Sequence, residues 1–371
     1  EKQAPQSTQT RKRQIVGDSD DDAEPRAKRA RTTQLTSGLA RLTRKNLALF
    51  DKMGKKNKAL DSKDESKTTS TTTSGFDIKA HKNGILLFPS SKTPTNHKTR
   101  RERNARSRGT ASPTETEHRG FVKRIQNAGN EATVVAEMGM LLKVYEDEDY
   151  TRAFNRAFTG FPKDVGFNNG LSAPQPDFVE GSRMQEYDPF PVDEYVSGAV
   201  LYEDDRCSVT LPQLAGEWEG PDGSIKEAEL QSSYDGAALV YARNEALSYL
   251  GKSDPPGHAE VTTFTTDGTN LHFYSHYAAE TEDKTLKYHQ YLDASYNLMK
   301  FDEYKNGRRH LRNIQDDAKD QSYALRDQLK EHWKQQRSIV HPVAEEEPLP
   351  VPDGALGGAS ADEEAPPYEE V

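Results

Sequence analysis

The chain of 371 residues contains a single cysteine, Cys207, so it has no internal disulfide and is not a disulfide-stapled secreted scaffold. No stretch approaches the roughly 20 apolar residues that a membrane helix needs. The first residues, Glu1-Lys2-Gln3, lack the apolar run of a signal peptide. Apolar residues are scarce, at 33% against 30% charged. Much of the chain is therefore unable to bury enough surface to offset its ordering entropy. No G-x-x-x-x-G-K phosphate cradle occurs. His272 and His276, four apart on one face of a predicted strand, have no third ligand at zinc-like spacing; strand alternation accounts for them. These absences lead us to expect a soluble intracellular protein with no membrane contact.

What is present is a division of charge. Residues 1–118 carry 26 basic against 14 acidic side chains, residues 119–337 carry 24 against 37, and residues 338–371 carry none against 9. We expect a basic disordered arm over 1–75, a folded domain over 76–337 with its compact core from about 119, and an acidic disordered tail over 338–371. Such an acidic body repels polyanions, which assigns nucleic-acid affinity to the arm. The arm holds Arg11-Lys12-Arg13 and a second cluster from Arg26 to Arg31, of the kind a nuclear import receptor reads; the bland reading is a solvated basic tract. A weakly amphipathic stretch from Leu39 to Met53 is too poor in apolar residues to be a stable helix alone. Ile85 to Phe88, closed by Pro89, is the arm's only dense apolar patch and should dock on the body as an extended segment. Another basic tract runs from Arg100 to Arg108.

The body alternates between helical and strand periodicity, which predicts an α/β fold with a mixed central sheet flanked by helices. Residues 121–158 carry a helical pattern in Val134, Val135, Met138, Leu141, Leu142 and Tyr145. Strand candidates follow at 178–179, 199–202 and 208–219, then a helix at 225–250. Asp267-Gly268 joins strands at 261–266 and 271–278 as a hairpin. A strand at 285–291 and a long amphipathic helix, with Leu311, Ile314, Leu325, Leu329 and Trp333 on one face, complete the domain.

Pro176-Asp177 opens one strand, and about 40 residues later Gly216-Glu217-Trp218-Glu219-Gly220 ends another before a helix. This arrangement resembles the PD-(D/E)xK, or restriction-endonuclease-like, superfamily. The Pro-Asp dipeptide alone carries no weight, since it recurs at Pro221 and Pro352. A longer stretch, from Phe76 to about Lys334, resembles an uncharacterised fungal family with such a core. It does so through 76–86, Phe161 to Gly181, Ser253 to His258 and Lys287 to Tyr291.

The resemblance implies a nucleic-acid phosphodiesterase using Mg²⁺ or Mn²⁺, with Asp177 and Glu217 as metal ligands and a further acid from the first helix. Hard cations of this kind take carboxylate oxygens converging from separate elements, and lower the pKa of an attacking water. Glu131 and Glu137 are the two helix candidates. At 100° per residue Glu131 centres on the stripe of Val135, Met138 and Leu142, whereas Glu137 lies about 120° away. That selects Glu131, with a structural role at the helix start as the alternative.

The superfamily places lysine two residues after the strand acid, where this chain has Glu219. An anion there adds repulsion where a phosphodiester transition state needs positive charge. Lys226 is the candidate substitute, unless it points to water. Gln231, on a helical stripe with Tyr234, Ala238 and Tyr241, either faces the acids, as glutamines do in several superfamily members, or is a buried amide held by backbone groups. The candidate catalytic set is thus Glu131, Asp177, Glu217, Glu219 and Gln231. Three functions follow: a metal-dependent nuclease, a nuclease-like nuclear binding module without activity, or a protein-interaction module using the tail and the long helix.

Overall fold

The computed structural model describes residues 75–87, 90–203, 205–221 and 223–340. The import-type clusters, the 39–53 stretch, Phe88 and the acidic tail lie outside the described residues.

The chain is an α/β domain built on one mixed seven-stranded sheet. Helix α1 (Phe76–Lys82) leads into β1 (Ile85–Leu86); then come α2 (His97–Ala105), α3 (Glu115–Gln126) and α4 (Glu131–Gly139). Strands β2 (Tyr150–Phe154), β3 (Phe178–Arg183) and β4 (Val209–Trp218) follow, with short helix α5 (Val192–Tyr195) before β4. Helix α6 (Ile225–Tyr249), strands β5 (Val261–Thr266), β6 (Asn270–Glu280) and β7 (Leu286–Asn297), and α7 (Phe301–Val340) complete the fold. The sheet order is β1-β7-β6-β5-β4-β3-β2. Its parallel pairs are β4–β5, bridged by α6 as the crossover helix, and β1–β7.

Each face of the sheet has its own core. On one, Ala215 and Val261 meet the small residues of α6, among them Ala237, Ala238 and Ala242. On the other, Leu214, Trp218, Phe264 and Phe273 pack with Phe121, Val134, Met138, Leu311 and Ile314 of α3, α4 and α7. Gly236 shows how closely α6 approaches: a Cβ there would overlap the His276 ring on β6. The hairpin forms where Asp267-Gly268 stands, with Gly268 at φ 81° and Asp267 Oδ1 accepting from the backbone N–H of Thr269 and Asn270.

Four expectations are revised. The helical pattern at 121–158 is two helices and a strand. Asn130 caps α4 through a Thr133 N–H bond, and α4 ends at Gly139. Leu141 and Leu142 are still buried, but their carbonyls accept from the Arg312 guanidinium instead of continuing a helix. Residues 199–202 form no strand, only the bridge Val200–Thr210. The last strand runs on to Asn297. The basic tract from Arg100 is largely the helix α2, with Arg100 buried.

Arg100 donates to Ala259 O (2.8 Å), Thr262 Oγ1 (2.6 Å) and Ser275 Oγ (3.1 Å), with Asp293 at 3.7 Å and Glu260 at 3.8 Å. Arg100 is thus the clamp that fastens α2 to β5, β6 and β7.

Glu180 of β3 is fully buried beneath α7, where Gln315 Nε2 donates to both its oxygens and Arg152 lies 3.6 Å away. Burial outweighs these partners and raises its pKa to about 7. A raised carboxyl contributes stability that is complete below its ordinary value and is lost as pH rises through about 7. Glu180→Gln should therefore flatten the fall in stability between pH 5 and 8, retaining roughly 2–3 kcal/mol at pH 8 that wild type loses. Urea midpoints at the two pH values test this; parallel losses in both proteins would show that Glu180 is not the titrating group.

Candidate active site

Asp177 stands immediately before β3, and the register that pairs Phe178 with Gly216 sets it opposite Glu217 of β4. Asp177 Oδ2 accepts from the Trp218 N–H at 2.9 Å, fixing the carboxylate against the neighbouring strand. Strand alternation separates the two neighbours in β4. Trp218 turns to the α3/α4 side and stacks on Phe178 and Phe264, while Glu217 turns toward α6. Glu217 is buried and engages carboxyls on both sides, Asp177 and Asp235, with its Oε1 left without a partner. Burial, then the charges of Asp177 and Asp235, push its pKa far up.

Asp235 was not among the residues predicted from sequence. It lies in the middle of α6, is buried, and has one oxygen, Oδ2, without a partner. Burial raises its pKa too, opposed by the hydrogen bond from Glu217. The signal was readable: Asp235 is the only acid between Glu229 and Glu245, on the stretch that also carries Ser232, Gly236 and Ala238. Gln231 is half-buried one turn before Asp235, on the same side of α6, and makes no hydrogen bond among the described residues.

Glu131 is the first residue of α4, largely exposed, and its backbone packs against Gly220 just beyond β4. Partial burial and then the charge of Asp177 raise its carboxyl. Glu137 is elsewhere, accepting from Arg124 Nε at 2.7 Å. Glu219 follows the end of β4, its N–H bonded to Thr266 O and its side chain lying over Gly223. Burial, then Glu227, Glu131 and Asp177, raise it to about 7; the Ser224 N–H at the start of α6 works against them. Lys226 is exposed, and the acid that its charge affects is Glu229. The cluster therefore contains Glu131, Asp177, Glu217, Glu219 and Asp235 without a lysine or arginine partner among them.

The histidines fall outside it. His276 is buried against Gly236, with Nε2 at 2.7 Å from Thr263 Oγ1, which itself meets Ser232 Oγ at 2.5 Å. Burial holds His276 down to about 3, so it is neutral. His272 meets Tyr274 and Glu229 instead.

The donor chemistry is of the kind that hard divalent cations take. It is all carboxylate, and two buried oxygens, Glu217 Oε1 and Asp235 Oδ2, have no partner. As placed, no three His, Cys, Asp or Glu side chains among the described residues converge on one point as ligands do. The described residues also contain no helix long and apolar enough to cross a membrane. No protein-family model, curated protein or solved structure matches the chain.

Proposed function

We propose that the chain is a PD-(D/E)xK nuclease-like protein whose acids belong to a divalent-metal-dependent nucleic-acid phosphodiesterase with a degenerate third motif. The observation that carries this reading is the placement of Asp177 and Glu217 opposite each other on β3 and β4. The order α4, β2, β3, β4, α6, β5 supports it, since it delivers Glu131, Asp177, Glu217 and Gln231 in the sequence that the superfamily resemblance implies. Asp177, Glu217 and Asp235 are the residues that would hold Mg²⁺ or Mn²⁺, and the bound ion would polarise a phosphate and acidify a water. Asp177 is oriented by the Trp218 N–H, and Glu217 is kept from bulk water by α6. Glu219 stands where a cation would steady the phosphate, and it opposes that role.

The test is cleavage by the purified chain of DNA and RNA substrates in Mg²⁺ or Mn²⁺, alongside Glu219→Lys and Asp177→Asn. We expect weak cleavage by wild type, about tenfold or more with Glu219→Lys, and none with Asp177→Asn. Absence of cleavage from both wild type and Glu219→Lys would remove the catalytic reading.

The lack of a lysine or arginine partner for Glu219 among the described residues favours a second reading, an inactive nuclease-like module that binds nucleic acid. Calorimetric binding of Mn²⁺ without cleavage by any variant would select it. The clusters at Arg11 and Arg26 support recognition by a nuclear import receptor and a nuclear or nucleocytoplasmic location.

A further inference from the structure

The body's net negative charge conceals a basic face made by α2, α3 and α7. Two ion pairs and one set of carbonyl contacts occupy part of its arginines. Arg108 holds Asp316 at 2.7 Å, an acid shared with Lys143. Arg124 holds Glu137. Arg312 is spent on the Leu141 and Leu142 carbonyls. The nearby Glu117 is committed to the Thr114 cap at the start of α3. With those acids taken, Arg101, Arg308 and Arg309 have no carboxylate within 4.0 Å among the described residues.

Their mutual closeness is legible in the groups they surround. Burial, then Arg308 and Arg108, pull the Arg312 guanidinium down to about 10. Arg309 and Arg101 act together on both Tyr296 and His310. The segment after α2 and the flank of α7 also form an open depression of about 280 Å³, lined by Arg106, Ser107, Arg108, Thr110, Asn313 and Asp316. Two guanidinium N–H groups here, Arg108 Nε and Arg309 Nε, are buried without an acceptor. A gathering of like charges with orphaned donors lacks an anion that the protein does not itself supply.

We infer that the face formed by α2, α3 and α7 grips the phosphate backbone of a nucleic acid, independently of sequence. Arginine forks suit phosphate oxygens, and the two oxygens of a phosphate can accept from the guanidinium N–H groups left without an acceptor here. The face would act alongside the basic arm, to which the charge division assigns polyanion affinity. The inference needs no catalysis and stands whether or not the acid site cleaves.

The experiment uses the full chain, labelled DNA and RNA duplexes, EDTA to prevent cleavage, and a salt titration. Arg308→Ala/Arg309→Ala should weaken binding about tenfold or more and lower the slope of log affinity against log salt by roughly two. Arg308→Lys/Arg309→Lys should keep the slope. Equal losses on DNA and RNA are the signature of backbone recognition; loss on one alone narrows the partner to that polymer. Thermal melts verify folding, and cross-linking of wild type should map to 97–126 and 301–313, which tests the face even if the alanine pair misfolds. An unchanged slope, cross-links confined elsewhere, or tighter binding to anionic vesicles than to either duplex would overturn the inference.

Discussion

Arg100→Ala should cost about 3–5 kcal/mol, among the largest losses any single substitution in this domain produces. The side chain is buried, and its removal strands the Ala259 carbonyl, Thr262, Ser275 and two acids at once. Burial lowers the Arg100 pKa, against the pull of Asp293 and Glu260, yet a guanidinium keeps its proton at neutral pH. The cost therefore comes from the acids left behind more than from the pair itself. Asp293 is hemmed in by Ser275 and by His97 at 3.4 Å. Glu260 keeps Arg103 and His258 and suffers less. It follows that Arg100→Met should be nearly as damaging, and that adding Asp293→Asn to Arg100→Met should recover a large part of the loss, about 2 kcal/mol. Urea unfolding of the three proteins measures this. A loss below about 1 kcal/mol for Arg100→Ala would mean that α2 is not clamped as described.

Gly236→Ala is the second large effect, and it contradicts helix propensity. Alanine in a helix interior should gain about 1 kcal/mol over glycine. Here the new methyl meets the His276 ring, which cannot recede while Nε2 holds Thr263. Either α6 lifts from the sheet or His276 leaves its bond, and overpacking plus a stranded hydroxyl costs about 3–5 kcal/mol. The net expectation is a loss of roughly 2–4 kcal/mol. Because Asp235 precedes Gly236, lifting the helix also draws its carboxyl away from Glu217. On the proposed metal role of Asp235 and Glu217, the variant should also bind Mn²⁺ more weakly even where it remains folded. Shortening the obstacle with His276→Ser should restore part of the stability, and a double-mutant cycle reads the coupling. Strict additivity of the two losses would show that the contact is not the cause.

Elements defined by local chemistry were legible in the sequence. The β5–β6 hairpin follows from Asp267-Gly268 and α7 from its apolar stripe, whereas the break before Asn130 was absorbed into one helical pattern. What could not be read was decided by partners far along the chain. Arg100 looks solvated because its carboxylates, Glu260 and Asp293, are supplied by β5's approach and by β7. Leu141 and Leu142 mimic a helix continuation because burial imposes the pattern, although Arg312 replaces the helical hydrogen bonds. Of the acids, Asp177 and Glu217 were placed opposite each other as the strand pattern required. Glu131 does sit beside Asp177, but the stripe used to choose it included Leu142, which lies beyond α4. Asp235 was missed because its function exists only once α6 lies across β4.

The two-residue strand β1 sets the order in which the fold is assembled. Ile85 and Leu86 pair with Tyr288 and His289, about 200 residues later, and the Gly84 carbonyl accepts from the Tyr288 N–H. A chain emerging from the ribosome must therefore hold this segment unpaired until β7 has been made. The meander β2–β4 and the α6 crossover need no such wait, because all their partners are nearer in sequence. The acid cluster lies within residues 131–235, so all of its carboxylates have been synthesised before the far edge of the sheet can close.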